Sequence, residues 1–150
     1  MKITIITITL NSEETIRDTL NSVLSQTYKN IEHIIIDGGS KDKTLDIIKK
    51  YPNKNKKIYH LPKSGIYEAI NYGIKKSNLS FITILNSDDF FQSNDSVLKI
   101  VKNIKKNKNT SIFFSNVAYI KDNNFIGIER LFSSQNFKRW HLSLGLMPAH

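Results

Sequence analysis

Two adjacent carboxylates, Asp88 and Asp89, close the tetrapeptide Asn86-Ser87-Asp88-Asp89, directly after the apolar run Phe81-Ile82-Thr83-Ile84-Leu85. Short and rich in β-branched residues, the run reads as a buried strand. Taking a carboxylate out of water at the end of such a strand is costly unless a cation compensates it. A hard divalent ion, Mg²⁺ or Mn²⁺, suits that role, because it takes carboxylate and phosphate oxygens. Open α/β sheets also bind ligands at the carboxyl ends of their strands. The same four residues read equally well as an acidic turn capping the next helix. The surrounding elements have to decide.

Those elements alternate. Lys2–Leu10 is a β-branched strand, after which Asn11 is expected to cap a helix with Glu14 as its capping-box partner. Ile16, Leu20, Val23 and Leu24 give that helix one buried face. Ile31–Ile36 is a second strand, apolar almost throughout, as expected where helices cover both faces. Asp37-Gly38-Gly39-Ser40 ends it, and Asp42 or Ser40 can cap a helix carrying Leu45, Ile48 and Tyr51. A third strand, Lys57–Leu61, leads to a helical stripe of Ile66, Ala69, Ile70, Gly73 and Ile74. Val97, Ile100, Val101 and Ile104 mark a helix after the fourth strand, Phe81–Leu85. Ser111–Ile120 and Phe125–Leu131 are expected to form a hairpin around Asp122-Asn123-Asn124, with a short helix near Asn136–Leu142. Such alternation specifies an α/β fold with parallel βαβ units, right-handed crossovers and a mostly parallel central sheet flanked by helices.

In a parallel sheet three polar clusters, Thr7 to Glu13, Asp37 to Asp42 and Asn86 to Asp89, fall on one rim. The first opens a helix, whose free N–H groups suit an anionic or polar ligand. The pair Gly38-Gly39 lets backbone approach a flat group, or simply makes a turn. On the third helix Asn71 could bond a ligand or only solvate its face. Neither a G-x-G-x-x-G fingerprint nor a P-loop lysine motif is present, which disfavours a dinucleotide fold. His33, set among isoleucines, reads as structural, and His60, His141 and His150 lack the spacing of a metal triad. No G-x-S-x-G elbow supports serine hydrolase chemistry.

The 150 residues fit one domain, and the absence of cysteine excludes disulfides, thiolate catalysis and zinc–cysteine sites. A net charge of +9 favours anionic partners such as nucleotides or an acidic membrane surface, so peripheral membrane contact is compatible with the composition. Nucleic acid is disfavoured, because the lysine runs lack aromatic interleaving and any recognition motif. No apolar run is long enough to span a bilayer and no signal-peptide pattern opens the chain; cytoplasmic residence is the expectation.

Several segments, taken in order, resemble the large inverting family 2 of glycosyltransferases. They are Ile5-Ile6-Thr7-Ile8-Thr9-Leu10-Asn11 with Ser22-Val23-Leu24-Ser25-Gln26-Thr27-Tyr28, Ile34-Ile35-Ile36-Asp37-Gly38-Gly39-Ser40-Lys41-Asp42-Lys43-Thr44, Gly65-Ile66-Tyr67-Glu68-Ala69-Ile70-Asn71-Tyr72-Gly73-Ile74, and Leu85-Asn86-Ser87-Asp88-Asp89. The likeness is dense over residues 1–95, and Met147-Pro148-Ala149-His150 is similar to a segment of a branch that builds bacterial surface polysaccharides.

The resemblance implies a GT-A-type fold: residues 1–95 would be the half that binds a nucleoside-diphosphate sugar, and 96–150 the incomplete start of an acceptor half. It implies a UDP or GDP sugar as donor, a saccharide or lipid-linked saccharide as acceptor, and Mg²⁺ or Mn²⁺ on the diphosphate. By position Asp88 matches the family's metal-binding aspartate and Asp89 its neighbour. Thr7, Ile8, Thr9, Asn11 and Glu13 match the loop that holds base and ribose, and Asp37 the first acid after the second strand. Two departures stand out. Where many members have Asp-Asp-Gly-Ser, with the second acid often reading uracil, this chain has Gly38; where many have Asp, it has Asn86. The family's general base is an Asp or Glu well downstream of the metal motif, so the chain is expected to be truncated, with its base beyond His150 or, less in keeping with the family, His150 itself. Nucleotide-sugar binding without turnover is the alternative that this absence leaves.

Overall fold

The computed structural model describes residues 1–77, 81–120, 128–133 and 137. They form two compact units, residues 1–105 and 106–150. In the first, β1 (Ile3–Thr9), β2 (Ile31–Asp37), β3 (Lys56–His60) and β4 (Ile82–Ile84) make a wholly parallel sheet in the order β3-β2-β1-β4. The crossovers carry α1 (Ile16–Leu24), α2 (Thr44–Lys50) and α3 (Ile66–Lys76), and α4 (Ser96–Lys106) follows β4.

Strand periodicity sorts the core into two layers. Ile35 faces one side, where Ile16 and Leu20 of α1, Ile48 of α2 and Tyr51 just after it close over it. Ile34 and Ile36 face the other, against Ile6 and Ala69 of α3. The near-continuous burial of β1 and β2 follows from that double cover. Gly73 lets α3 lie close to the sheet, for a Cβ there would meet Ile6 Cγ2 at 2.8 Å and Ile36 Cδ1 at 3.0 Å. Buried Gln26 pins the start of α4 to the end of α1: its amide donates to the carbonyls of Ser22 and Ser93 and its oxygen accepts the Val97 N–H.

Several expectations shift. The helix after β1 begins only at Ile16, with Thr15 at its N-cap and no side-chain cap bond. Asn11 stands outside it with φ 50°, in the left-handed region that asparagine tolerates, so the Asn11–Glu14 capping box does not form. The fourth strand is shorter than expected and lies at the sheet edge. Leu85 is buried, but Ile82 and Ile84 are exposed, and among the described residues the one sheet neighbour of β4 is β1. On α3 the buried stripe narrows to Ala69 and Gly73, leaving Ile66 and Ile74 exposed. Neither Ser40 nor Asp42 is the N-cap of α2, which is Lys43 with no side-chain cap bond, although Asp42 accepts the Thr44 N–H at 3.0 Å.

In the second unit β5 (Val117–Ile120) and β6 (Ile128–Phe132) pair antiparallel, with an irregularity between Tyr119 and Ile120. The expected turn at Asp122–Asn124 lies outside the described residues, as does the Asn136–Leu142 helix apart from Phe137, and the segment ending at His150 lies wholly outside them. Among the described residues no helix is long and apolar enough to cross a membrane.

Candidate functional site

The carboxyl ends of β1 to β4 all point to one rim, and the loops that leave them are bonded to one another. Thr9 O accepts the Gly38 N–H at 2.9 Å, and Asp37 O accepts the Leu61 N–H at 2.8 Å. Ser12 Oγ and Ser87 Oγ lie 2.8 Å apart, joining the loop after β1 to the loop after β4. The Ser12 N–H donates to Thr44 Oγ1 at 2.8 Å, joining the same loop to the start of α2. Asn11 and the segment at Ser40 brace each other reciprocally: the Asn11 N–H donates to Ser40 Oγ and the Lys41 N–H to Asn11 Oδ1. Glu13 and Asp42 do the same, as the Asp42 carboxylate accepts the Glu13 N–H and the Glu13 carboxylate accepts the Lys43 N–H.

Asp37 is fully buried and spends its carboxylate on the fold. Oδ2 accepts from Gly39 N at 3.0 Å, Ser40 N at 3.1 Å and His60 Nδ1 at 2.8 Å. The turn it holds needs a glycine, since Gly39 has φ 101° and a Cβ there would come within 3.2 Å of Pro62 Cβ. Thr7 is likewise internal, its hydroxyl 2.9 Å from His33 Nε2. Burial pushes the His33 imidazole down to about 3, aided by the charge of Lys56, so the ring is neutral.

Between these loops opens a cleft of about 310 Å³, in which Ile8, Thr9 and Leu10, Gly38, Ser64 to Ile66, Ala69, and Asn86, Ser87 and Asp88 meet. Of the residues singled out in the sequence, Ile8, Thr9, Gly38, Asn86, Ser87 and Asp88 line it. Thr7, Asn11, Glu13, Asp37, Asn71 and Asp89 do not; Asn71 is exposed on α3, Thr7 is bonded to His33 inside the sheet, and Asn11, Glu13 and Asp37 make the loop contacts above. Thr9 Oγ1 is the informative atom: it is buried, carries no hydrogen-bond partner, and belongs to a residue of the cleft wall. A buried hydroxyl without a partner costs stability, and a ligand in the cleft is its ready partner.

The acid pair sits at the β4 end of the cleft. Partial burial of its carboxyl, and next the charge of Asp88, raise the Asp89 pKa, against a 3.2 Å hydrogen bond from the Asn86 amide. Two carboxylates that repel each other beside an open cleft suit a divalent cation. Among the described residues no cluster of three or more His, Asp or Glu could hold a metal ion alone. Two carboxylates with the remaining positions left to phosphate and water is the usual arrangement for Mg²⁺. Asn86 thereby acts on Asp89, orienting it by its side-chain amide and backbone carbonyl.

Sequence reasoning did not single out Ser64, Gly65 and Ile66 as cleft residues, although the handover from β3 to α3 was their signal. It also passed over Lys63, which holds φ 65°. The left-handed region costs a side-chain-bearing residue about 1–2 kcal/mol.

A model of glycosyl transferase family 2 matches residues 4–148. The chain belongs to that family. The family member is 36% identical over 135 residues to the Escherichia coli UDP-Glc:alpha-D-GlcNAc-diphosphoundecaprenol beta-1,3-glucosyltransferase WfaP, covering 88% of this chain and 51% of that protein. It is 40% identical over 100 residues to an uncharacterized glycosyltransferase of Haemophilus influenzae, covering 65% and 40%. Among solved structures, S. aureus TarS 1-349 in complex with UDP-GlcNAc matches with TM-score 0.67 and 30% identity over 72% of this chain and 32% of TarS. The mannosyltransferase PcManGT of Pyrobaculum calidifontis, solved with GDP-Man and Mn2+, shares the fold at 19% identity and TM-score 0.65, covering 81% and 36%. The chain spans between 13% and 51% of the length of the first five curated relatives it matches.

Proposed function

We propose that this family 2 chain binds a nucleoside-diphosphate sugar, UDP- or GDP-linked, and serves its transfer to a hydroxyl of a saccharide or lipid-linked saccharide, with inversion at the anomeric carbon. The observation that carries the reading is the meeting of Thr9, Gly38 and Asn86 to Asp88 in one cleft at the strand ends. Asp88, with Asp89 beside it, would hold Mg²⁺ or Mn²⁺ against the diphosphate. The ion supplies Lewis-acid stabilisation of charge on the leaving group. The bond between the anomeric carbon and the diphosphate oxygen breaks with its electron pair leaving on the diphosphate, while the acceptor oxygen bonds to that carbon from the opposite face. The hydroxyl proton passes to a carboxylate base, which the resemblance puts downstream of Asp89. Within this chain the work is binding and orientation: the braced loops hold Thr9, Ser87 and Asp88 in a fixed relation before the donor arrives, which limits the ordering cost of binding. A polyprenyl-linked acceptor, as in the name of the E. coli relative, is the acceptor class this reading favours.

Titration with UDP and GDP, with and without Mn²⁺, tests it. Binding should need the metal and fall at least tenfold in Asp88→Ala. Nucleotide affinity indifferent to both would overturn the reading.

A further inference from the structure

Leu61-Pro62-Lys63-Ser64 is a tight turn closed by the Ser64 N–H on Leu61 O at 3.4 Å. Proline in its second position and a positive φ in its third, 65° at Lys63, are the marks of a type II turn. That third position suits glycine or asparagine, because a Cβ there crowds the backbone. Lysine contributes nothing to the turn, and among the described residues no ion pair engages its ammonium. Strain kept without a structural return is characteristic of sites where the side chain itself has a task.

The placement says which task. The Lys63 N–H donates to Gly38 O at 3.3 Å and Ser64 follows it; both Gly38 and Ser64 line the cleft. With the strand order β3-β2-β1-β4, three inter-strand spacings, about 14 Å, separate the ends of β4 and β3. A diphosphate at Asp88 therefore leaves the nucleoside to lie across β1 and β2 towards the turn at Lys63. At that end a Cβ on Gly65 would meet nothing within 4 Å, whereas one on Gly38 would meet Leu10 at 3.6 Å, so a flat base can settle against the backbone on the Gly65 side. Gly38 also removes the acid that would accept a base N–H. Lys63 is exposed on the turn whose N–H bonds Gly38 O, and its ammonium, which only donates, is within a side chain's length of that position.

We propose that Lys63 is a specificity residue that donates from Nζ to the exocyclic ring oxygen of the donor base, O4 of uracil or O6 of guanine, and so rejects cytosine and adenine, which carry amino groups there. The proposal rests on the donor-site reading above and adds the residue that chooses the base.

The test compares UDP, GDP, CDP, ADP and inorganic pyrophosphate, each with Mn²⁺, on the unaltered protein, Lys63→Gly, Lys63→Arg and Asp88→Ala. The unaltered protein should favour UDP and GDP by about tenfold or more, one base contact being worth roughly that factor. Lys63→Gly should raise Tm by a few degrees as the turn relaxes, weaken UDP and GDP about tenfold, and leave CDP and ADP within twofold. Lys63→Arg should keep the preference. A uniform loss across all four nucleotides and pyrophosphate would make Lys63 a phosphate contact and overturn the proposal. A raised Tm with unchanged affinities would reduce Lys63 to a turn residue and overturn it equally. Failure of the donor-site reading has a separate signature: the unaltered protein binds none of the four, or Asp88→Ala binds them as well as it does.

Discussion

Glu13 and Asp42, 29 residues apart, hold each other's loops: the Asp42 carboxylate accepts the Glu13 N–H at 3.1 Å, and the Glu13 carboxylate accepts the Lys43 N–H at 2.8 Å. Both acids lie near the rim where a ligand-facing role was expected of Glu13. Each satisfies a backbone donor of the other's loop, and together with the Asn11–Ser40–Lys41 brace they tie the loop after β1 to the loop after β2.

Because each acid serves the other's loop, their substitutions should not add. Glu13→Gln and Asp42→Asn should each lower Tm, and the double variant should fall by less than the sum of the two. Thermal unfolding of the four proteins measures this; strict additivity would mean the loops are independent.

Thr9→Val should stabilise the protein and weaken its ligand. The valine keeps the shape of a side chain whose hydroxyl is buried without a partner, so stability should rise by about 1 kcal/mol. Affinity for UDP or GDP should drop about tenfold if the hydroxyl bonds the nucleotide. Denaturant melts and calorimetric titration of one variant provide both readings.

Gly73→Ala should destabilise, although alanine is the better helix former by about 1 kcal/mol. Its Cβ would lie 2.8 Å from Ile6 Cγ2, a branch methyl that cannot swing aside without leaving its rotamer. Overpacking of this kind costs about 1–3 kcal/mol, and the clash should prevail. Adding Ile36→Val, which trims the second contact at 3.0 Å, should recover part of the loss.

His33 makes the fold sensitive to mild acid. Its pKa is near 3 in the folded protein against 6.5 unfolded, so between these values the unfolded chain binds the extra proton. Its contribution is present above about pH 6.5 and is lost as pH falls towards 3, with a slope of up to about 1.4 kcal/mol per pH unit. Urea unfolding at pH 7.5 and 5.5, a range above the ordinary carboxylate titrations, should show a fall of about 1 kcal/mol. In His33→Gln, whose amide can still meet Thr7 Oγ1, that fall should disappear.

The sequence by itself determined the alternating α/β order and the family. Short β-branched apolar runs in residues 3–8 and 31–36, buried on both faces, and a helical period at Val97, Val101 and Ile104 fix which segments are strands and which are helices. It also brought Thr9, Gly38 and Asp88 to one rim, because parallel strands place all their carboxyl ends together. Tertiary structure decided which polar residues on that rim remain available. Asp37 and Glu13 look like ligands in the sequence; in the fold Asp37 also accepts from Gly39 N, Ser40 N and His60, and one Glu13 oxygen accepts the Lys43 N–H. A carboxylate in a loop has the same letter whether it faces a ligand or a turn, and only the folded positions of distant donors decide the difference. The strain at Lys63 was hidden for the same reason: a φ of 65° belongs to the turn that Gly38 and Leu61 close around it, not to the residue.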